Sequence, residues 1–217
     1  MQNLYEISEK YGTDKQIKKH GYVKYYKKWL DSIKNNNLKL LEIGVEKGRS
    51  HLMWKDYMPN SIIYGIDIVN DCLKFNQDRI HIEIGSSTDK IFSDNFYTKN
   101  GPFDIIIDDG CHCSYSQIKT FELYFPYVVN GGLYIIEDLH TSYWEGFTSK
   151  NEKTCVSYLR DLVEIINGNG KIYLDGSGEM GNANMDDIIR TNTNLNYYEI
   201  NIESITFYKS LCFIQKR

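Results

Sequence analysis

The sequence lacks the features that mark several classes of protein. Only 3 of its 217 residues are proline and no low-complexity linker divides it, so we expect one domain, with a helical lid segment at 1–36 and a core at 37–217. No apolar run approaches the roughly 20 residues that span a bilayer, and the polar first residues do not resemble a signal peptide. The 5 cysteines are an odd number, which does not suggest a disulfide framework. We therefore expect a cytoplasmic protein without a membrane partner.

Motifs of other enzyme classes are missing as well. There is no G-x-S-x-G nucleophile elbow and no P-loop lysine motif, which argues against a serine hydrolase and against phosphoryl transfer on a P-loop. The formal net charge of −4 disfavours nucleic acid as a partner, because nucleic acid is bound by basic surfaces. The lysine-rich stretch 15–28 is interpreted as a solvated helix face.

The chain does contain strand-length apolar runs that alternate with stretches of helical periodicity. This pattern is typical of an α/β protein, and runs that are apolar throughout suit parallel strands covered on both faces. The predicted strands are 38–45, 61–68, 79–85, 103–109, 132–138, 195–202 and 211–215. The predicted helices are 4–32, 48–58, 116–129 and 154–167. A long loop with one short helix at 185–190 is predicted for the glycine- and asparagine-rich stretch 168–196.

The first predicted strand runs into a glycine loop that suits a nucleotide-type cofactor. Gly44 and Gly48 let the backbone turn and approach a ligand, and Asp67, after the second strand, can accept hydrogen bonds from a ribose diol. The dinucleotide pattern G-x-G-x-x-G needs glycine where Glu46 stands, and a carboxylate there would repel a pyrophosphate. S-adenosylmethionine has no pyrophosphate and its zwitterionic end tolerates an acid such as Glu42, so it is favoured. A strand–helix turn with no ligand is the alternative.

A second glycine motif lies at 176–181, where GSGEMG fits G-x-G-x-x-G literally. The stretch NAN after it is a poor helix start, and the motif comes too late in the chain to open a nucleotide-binding half. It is interpreted as a chance match rather than a cofactor loop.

Acids and histidines follow the fourth and fifth predicted strands. Parallel neighbours end at one sheet edge, so Asp109 and Asp138 are expected to lie together, while Asp108 points to the opposite face. Crowded carboxylates repel unless a cation intervenes, and oxygen ligands suit Mg²⁺. His112 can then take the proton of a hydroxyl that the cation has made more acidic, with His140 as the rival base. Alternatively, both histidines only cap loops.

At these residues the sequence resembles the class I S-adenosylmethionine-dependent methyltransferases, and specifically the metal-dependent sugar O-methyltransferases of the mycinamicin type. The most specific blocks are IDDG-x-H and IEDLHTSYW, whereas the glycine loop is generic. The segments that carry the resemblance are YGTDK (11–15), HGY (20–22), LEIGV (41–45), YGID (64–67), FDIIIDDGCH (103–112), IIEDLHTSYW (135–144) and SITFY (204–208).

The resemblance implies an α/β, Rossmann-like class I methyltransferase fold, with a seven-stranded, mostly parallel sheet, helices on both faces and an antiparallel last strand. It implies Asp109 and Asp138 as Mg²⁺ ligands beside a third acid that is not placed, and His112 as general base. The segments 11–15 and 20–22 are expected to close over the cofactor. The predicted cofactor-binding residues are Thr13, Glu42, Gly44, Gly48, Asp67, Gly85, Ser86, Ser87 and Asp108.

The leading hypothesis is methyl transfer from S-adenosylmethionine to a sugar hydroxyl, with Mg²⁺ holding the acceptor and His112 removing its proton. Macrolide enzymes of this type carry additional N-terminal sequence, so a nucleotide-linked sugar or a polysaccharide precursor is the expected acceptor, bound by loops 141–153 and 175–194. Two alternatives stay open, namely N-methylation of a small amine and a non-catalytic nucleotide-binding scaffold. Aromatic residues between 22 and 29 are expected to be exposed and to form a homodimer interface.

Overall fold

The computed structural model describes residues 3–168 and 195–217, which form one seven-stranded sheet with helices on both faces. The order is β3-β2-β1-β4-β5-β7-β6, and β7 is antiparallel to both of its neighbours while the other pairs are parallel. The predicted Rossmann-like architecture with an antiparallel last strand is therefore confirmed. The strands are β1 (Lys39–Ile43), β2 (Ile62–Asp67), β3 (Ile80–Ile84), β4 (Phe103–Asp108), β5 (Val128–Ile136), β6 (Ile202–Tyr208) and β7 (Leu211–Lys216).

The alternation of side chains along β4 divides the core into two layers. Ile105 and Ile107 pack in the layer that contains α1, α2 and α3, whereas Ile106 packs with α4, α5 and α6. Because both faces of the sheet are covered at its centre, β4 carries buried apolar side chains on both faces. The α-helices are α1 (Leu4–Tyr11), α2 (Val23–Leu30), α3 (Arg49–Tyr57), α4 (Lys90–Asn100), α5 (Ser114–Tyr124), α6 (Cys155–Asn167) and α7 (Tyr197–Asn201). Turns of 3-10 helix lie at Asn70–Phe75, Phe125–Tyr127 and Leu139–Tyr143.

The prediction of a single N-terminal helix is wrong, because two short helices with a turn between them occupy this part of the chain. Helix α1 stops when Gly12 takes a left-handed conformation, with φ at 65°, and its N–H bonds the carbonyls of Ser8 and Glu9. Helix α2 begins only at Val23. The intervening segment, residues 13–22, turns back over the edge of the sheet where the acids lie.

The strand predicted at 195–202 begins as a helix. The Asn196 side chain accepts hydrogen bonds from the backbone N–H groups of Tyr198 and Glu199, and the Glu199 carboxylate accepts one from the Asn196 N–H. This capping box starts α7, and β6 follows from Ile202. The polar capping pair therefore outweighs the apolar residues that suggested a strand.

Helix α4 is absent from the sequence prediction. Only Ser93 and Phe96 of this helix are buried, so its apolar periodicity is weak. The local signal is Asp89, whose side chain accepts hydrogen bonds from the N–H groups of Ile91 and Phe92 and thereby caps the helix.

Helix α5 ends earlier than predicted. Pro126 has no backbone N–H to continue the helical ladder, and it lies in the 3-10 turn that follows Tyr124. Val128, predicted to lie on the helix, instead opens β5.

The aromatic residues between 22 and 29 pack within their own chain. Tyr22 and Tyr26 are at most 2% exposed, and Trp29 stacks on Phe213 with 5.2 Å between ring centroids. The predicted exposure of these side chains is therefore wrong, while the homodimer stays a prediction.

Some predictions fall outside the described residues, namely the glycine motif at 176–181, the helix at 185–190 and the loop 175–194. Among residues 3–168 and 195–217, no helix combines the length and the apolar character needed to cross a membrane.

Candidate active site

A cavity of about 880 Å³ opens at the carboxyl ends of β1, β2 and β4, the edge where doubly wound sheets bind their ligands. Asp109 and His112 lie on its wall, whereas Asp138 and His140 are not among its lining residues. Of the predicted cofactor-binding residues, Glu42 and Gly48 do not line it either. Those that do are Thr13, Gly44, Asp67, Gly85, Ser86, Ser87 and Asp108.

The two glycines of the first loop serve the packing of the chain. Gly44 has φ at 98°, and a Cβ on it would lie 2.8 Å from the carbonyl carbon of Asp109 and nearer still to the carbonyl oxygen. Gly48 has φ at 64°, and its Cβ would lie 2.7 Å from the ring of Phe75. The loop after β1 therefore fits closely against the loop after β4, and glycine is what permits that contact.

Asp67 organises the same loop through its carboxylate. It accepts hydrogen bonds from the N–H groups of Val45 at 2.8 Å, Glu46 at 3.1 Å and Val69 at 2.9 Å. Partial burial acts to raise the pKa of Asp67, but these three N–H groups outweigh it, and the pKa lies below its ordinary value. The carboxylate stays ionised at neutral pH and still lines the cavity.

The far wall of the cavity follows β3. Gly85 lies against the ring of Phe92, which a Cβ would approach to less than 2.5 Å, so a side chain at this position would displace the ring. The Ser87 hydroxyl lies 3.0 Å from that of Thr120 on α5, and the Ser86 hydroxyl lies 2.9 Å from that of Thr88. This wall presents small polar side chains to the cavity.

The interpretation of the stretch 15–28 as a solvated face is wrong for Lys15, because its side chain is fully buried. Its Nζ lies 2.5 Å from Asp109 Oδ2, 3.0 Å from Glu137 Oε2 and 3.3 Å from Glu42 Oε1. Burial acts to lower the pKa of Lys15, but the charges of these three acids raise it well above its ordinary value. Lys15 is therefore a buried ammonium group among carboxylates.

Glu42 lies beneath the cavity and has no exposed surface. One of its oxygens faces Lys15, and the other lies 3.2 Å from Nδ1 of His51, which is also fully buried. Burial raises the pKa of Glu42. Burial, followed by the charge of Lys15, lowers the pKa of His51 to about 3, so that its imidazole is neutral.

Two tyrosines from the N-terminal segment hold the acids that end β5. The Tyr22 hydroxyl donates to Asp138 Oδ1 at 2.6 Å, and the Tyr26 hydroxyl donates to Glu137 Oε1. Burial, followed by the charge of Asp109, raises the pKa of Glu137 well above its ordinary value. Lys15 and Tyr22 lie in segments that the sequence analysis expects to close over the cofactor, but no contact of Lys15 or of either tyrosine with these acids followed from the sequence. The signal was present, since two of the three lie in the YGTDK and HGY segments and Tyr26 lies one helical turn after Tyr22.

Asp109, His112 and Asp138 form a compact group, with ligand atoms all within 4.8 Å of one another. His112 Nε2 lies 3.4 Å from Asp138 Oδ2 and 4.0 Å from Asp109 Oδ1. Burial raises the pKa of Asp109 to about 6, as expected where a carboxylate is crowded. Two carboxylates that converge from β4 and β5 form the oxygen-rich donor set that Mg²⁺ prefers, so these residues fit the predicted ion.

His140 is held away from the cavity. Its Nδ1 lies 2.5 Å from Ser210 Oγ, which also accepts the His140 backbone N–H, and 3.8 Å from Asp138 Oδ1. Its ring meets that of Trp144 edge to face. Of the two predicted bases, only His112 lies on the cavity wall.

Asp108 is buried beside Asp109 but faces the other layer of the core. Its Oδ1 accepts a hydrogen bond from the Gly110 N–H, and Tyr134 of the α4–α6 layer lies next to it. Burial raises the pKa of Asp108 to about 7. The predicted division of the two neighbouring acids between opposite faces agrees with these contacts.

No family model matches the sequence. It is 35% identical over 176 residues to mycinamicin VI 2''-O-methyltransferase of Micromonospora griseorubida, across 76% of this chain and 44% of that protein. The chain is a homologue of the macrolide and sugar O-methyltransferases. It is also 33% identical over 174 residues to demethylmacrocin O-methyltransferase of Streptomyces fradiae, across 75% of this chain and 44% of the relative.

A solved structure of the family has the same fold. MycE methyltransferase from the mycinamycin biosynthetic pathway, in complex with Mg and SAH, superimposes with a TM-score of 0.83 and 30% identity, covering 99% of this chain and 54% of that one. The chain thus spans about half the length of the O-methyltransferases that it matches.

Proposed function

We propose that the chain transfers a methyl group from S-adenosylmethionine to a hydroxyl group of a sugar, with a divalent cation at Asp109 and Asp138. The observation that carries this proposal is the convergence of these two acids with His112, at 3.4 and 4.0 Å from its Nε2, beside a cavity that two of the three residues line. Relatives named as O-methyltransferases, two of them for rhamnosyl tetracenomycins, and a relative solved with Mg and SAH support it.

The cavity fits the cofactor in size and in the groups it presents. A volume of about 880 Å³ is within the range of small-molecule sites, and the ionised Asp67 carboxylate offers an acceptor to a ribose diol. The exposed side chains of Ile68 and Val69 give the same end an apolar wall. When bound, S-adenosylmethionine supplies a methyl group carried on a sulfonium. The sulfur compound is the leaving group and becomes a neutral thioether.

His112 is the residue that we propose to remove the acceptor proton. Its ring lies on the cavity wall and its Nε2 faces both acids, so an acceptor oxygen beside Asp109 and Asp138 would come within its reach. A divalent cation, when bound, supplies positive charge that makes a nearby hydroxyl more acidic. Asp109 and Asp138 orient the acceptor, and the proton passes to His112.

The acceptor is proposed to be a sugar that is part of a larger molecule. Two relatives are named for the O-methylation of glycosylated compounds, an L-olivosyl-oleandolide and an α-L-rhamnosyl tetracenomycin C. The nucleotide-linked sugar and the polysaccharide precursor expected from the sequence are the second group of acceptors to be tested. Next to the site, Tyr143 and Trp144 are 73% and 51% exposed, and such aromatic faces can pack against a sugar ring.

The test compares His112→Ala with His81→Ala, which removes an exposed histidine on β3. We expect His112→Ala to lower turnover of a sugar acceptor by about 100-fold or more, the usual contribution of a general base, while its Kd for SAH stays unchanged in calorimetry. EDTA is expected to abolish turnover of the parent protein.

Three results would contradict parts of this proposal. Full activity in His112→Ala would exclude it as the base and would favour an amine acceptor, which needs less help from a base. Turnover that resists EDTA would exclude the cation. An absence of S-adenosylmethionine binding would favour a non-catalytic scaffold.

A further inference from the structure

Two cysteines flank His112, the proposed base, in the loop that connects β4 to α5. Cys111 is exposed and lies on the wall of the cavity, and Cys113 is half-buried where α5 begins. The other cysteines of the chain are at most 2% exposed, namely Cys72, Cys155 and Cys212. A dissolved thiol reagent can therefore reach the pair in this loop but not the other three sulfur atoms.

The backbone of the loop brings the two thiols together. His112 has φ at 58°, so the chain turns at this residue instead of continuing extended. An extended residue would separate the Cα atoms of its neighbours by about 6.6 Å, near the upper end of the range of about 4.4–6.8 Å that disulfides span, and a turn shortens that distance. The Cys113 thiol is close enough to that of Cys111 for the two to hydrogen-bond. The pair is thus placed to form a bond.

The ring of His112 depends on this loop for its orientation. Its Nε2 faces Asp138 at 3.4 Å and Asp109 at 4.0 Å, whereas its Nδ1 is buried and makes no hydrogen bond to another described residue. The His112 carbonyl accepts a hydrogen bond from Thr141 Oγ1 at 2.8 Å, which fixes the peptide but not the ring. A change in the backbone at 111–113 will therefore move the ring.

Hydrogen bonds anchor the loop on both sides of the cysteines. The Asp109 N–H donates to the carbonyl of Ile43 at 2.9 Å, and the Ser114 N–H donates to that of Phe147 at 2.9 Å. A disulfide would bring the two sulfur atoms to about 2.05 Å, well inside the distance between hydrogen-bonded thiols. Because both ends of the loop are fixed, the movement falls on residues 110–113, with His112 at their centre.

We propose that Cys111 and Cys113 form a reversible thiol–disulfide pair, which a small-molecule disulfide oxidises and which controls the position of His112. The Cys111 sulfur attacks the reagent RSSR and forms a mixed disulfide Cys111–SR, with release of one RSH. The Cys113 sulfur then attacks the Cys111 sulfur and releases the second RSH. The two thiols lose two electrons and two protons in total, and these reduce one RSSR to two RSH.

The reaction is reversible, because an excess of free thiol runs the same exchange backwards. Transient disulfides of this kind act in redox sensing in compartments that keep structural cysteines reduced. The expected effect on methyl transfer rests on the proposed function, since it acts through the base. The formation of the disulfide does not depend on that function.

The first experiment detects the disulfide without an acceptor substrate. The reduced full chain is treated with oxidised glutathione, free thiols are alkylated, and tryptic peptides are weighed by mass spectrometry. The peptide 100–119 contains no other cysteine. We expect it to lose two hydrogens in the parent protein and to carry no glutathione. Cys113→Ser should stop at the mixed disulfide on Cys111, and serine suits the position because Cys113 is the N-cap of α5.

The second experiment measures the effect on His112. We expect oxidation to shift the imidazole resonance of His112 in the NMR spectrum and to leave that of His81, an exposed histidine on β3, unchanged. Turnover should fall tenfold or more, the Kd for SAH should stay within threefold, and dithiothreitol should restore turnover. In the double variant Cys111→Ser/Cys113→Ser, oxidised glutathione should not change turnover.

Several results would overturn the inference. The parent protein might keep both thiols free, or stop at the mixed disulfide as Cys113→Ser does, and either result would exclude the pair. An unchanged His112 resonance in the oxidised protein would exclude control of the ring, and an equal loss of turnover in the double variant would exclude the cysteines as its cause. If Cys113→Ser does not fold, Cys111→Ser at its exposed position replaces it, and a loss of two hydrogens there would refute the pairing.

Failure of the proposed function gives a different pattern of results. If the reduced protein methylates no sugar acceptor, the proposed function is wrong, while mass spectrometry and the His112 resonance still decide for or against the thiol pair. A shifted resonance with unchanged turnover in an active enzyme would support the thiol pair and would exclude His112 as the base.

Discussion

Replacing Gly44 by alanine perturbs the contact that joins the cofactor loop to the loop that carries Asp109. With φ at 98°, the backbone of Gly44 directs a Cβ to within 2.8 Å of the carbonyl carbon of Asp109 and nearer still to its oxygen. Both contacts are with backbone atoms, so no side-chain rotation relieves them. We expect the loop after β4 to move, and with it the carboxylate that faces both Lys15 and His112.

Gly146 supplies a matched control for the backbone conformation. It has φ at 87°, and a Cβ there would have no neighbour within 4 Å among the described residues. Alanine at Gly146 should cost about 1–2 kcal/mol, from the left-handed conformation alone. Alanine at Gly44 adds an overpacking cost of about 1–3 kcal/mol, so Gly44→Ala should be less stable than Gly146→Ala by that amount.

Urea unfolding of the two variants measures this difference directly, provided that the m-values agree. Mn²⁺ calorimetry supplies the second measurement, in which Gly44→Ala should bind more weakly than the parent protein and Gly146→Ala should bind equally. Equal stability of the two variants would show that the contact with Asp109 relaxes without cost. Unchanged Mn²⁺ affinity in Gly44→Ala would show that the two loops are not coupled.

Two further predictions concern buried and ionised groups around the same edge. Because the pKa of His51 is lowered to about 3, the folded state binds fewer protons than the unfolded state between pH 6.5 and 3. The free energy of unfolding therefore decreases as the pH is lowered through that window. Urea unfolding should show the parent protein losing about 1 kcal/mol more than His51→Gln between pH 7 and 5.5, and parallel losses would contradict this. Asp67→Asn removes the ionised acceptor of three backbone N–H groups, so its Kd for SAH should rise at least tenfold in calorimetry. Asp71→Asn, at an exposed surface ion pair, should leave that Kd unchanged, and equal behaviour of the two variants would refute the role of Asp67.

The acids of the candidate site were predictable because strand topology alone determines where they lie. Asp109 and Asp138 each follow a buried strand, and parallel neighbours deliver their carboxyl ends to one edge. The same rule applies to Asp67 at the end of β2. For these residues a local pattern was sufficient, since the sheet converts position in a strand into position in space.

Lys15 was not predictable by this reasoning, because its partners are remote in the chain. Asp109 lies 94 residues away, and only the turn between α1 and α2 brings the two together. A lysine in a charged, lysine-rich stretch is usually solvated, and the composition of 15–28 gave no sign of one buried member. The same applies to Glu42. The sequence pattern places this acid at the end of a strand but does not show which residues bury it.

The N-terminal segment, expected to close over the cofactor, is part of the acidic centre itself. Lys15, Tyr22 and Tyr26 come from this one segment, and between them they bond Asp109, Asp138 and Glu137. Crowded carboxylates repel one another, so the order of the segment and the charge of the centre are linked. Linkage is reciprocal, and a cation that gains affinity from acids held in place must stabilise the segment that holds them by the same free energy. Binding of the proposed cation and the docking of residues 13–26 are therefore expected to be coupled parts of one equilibrium.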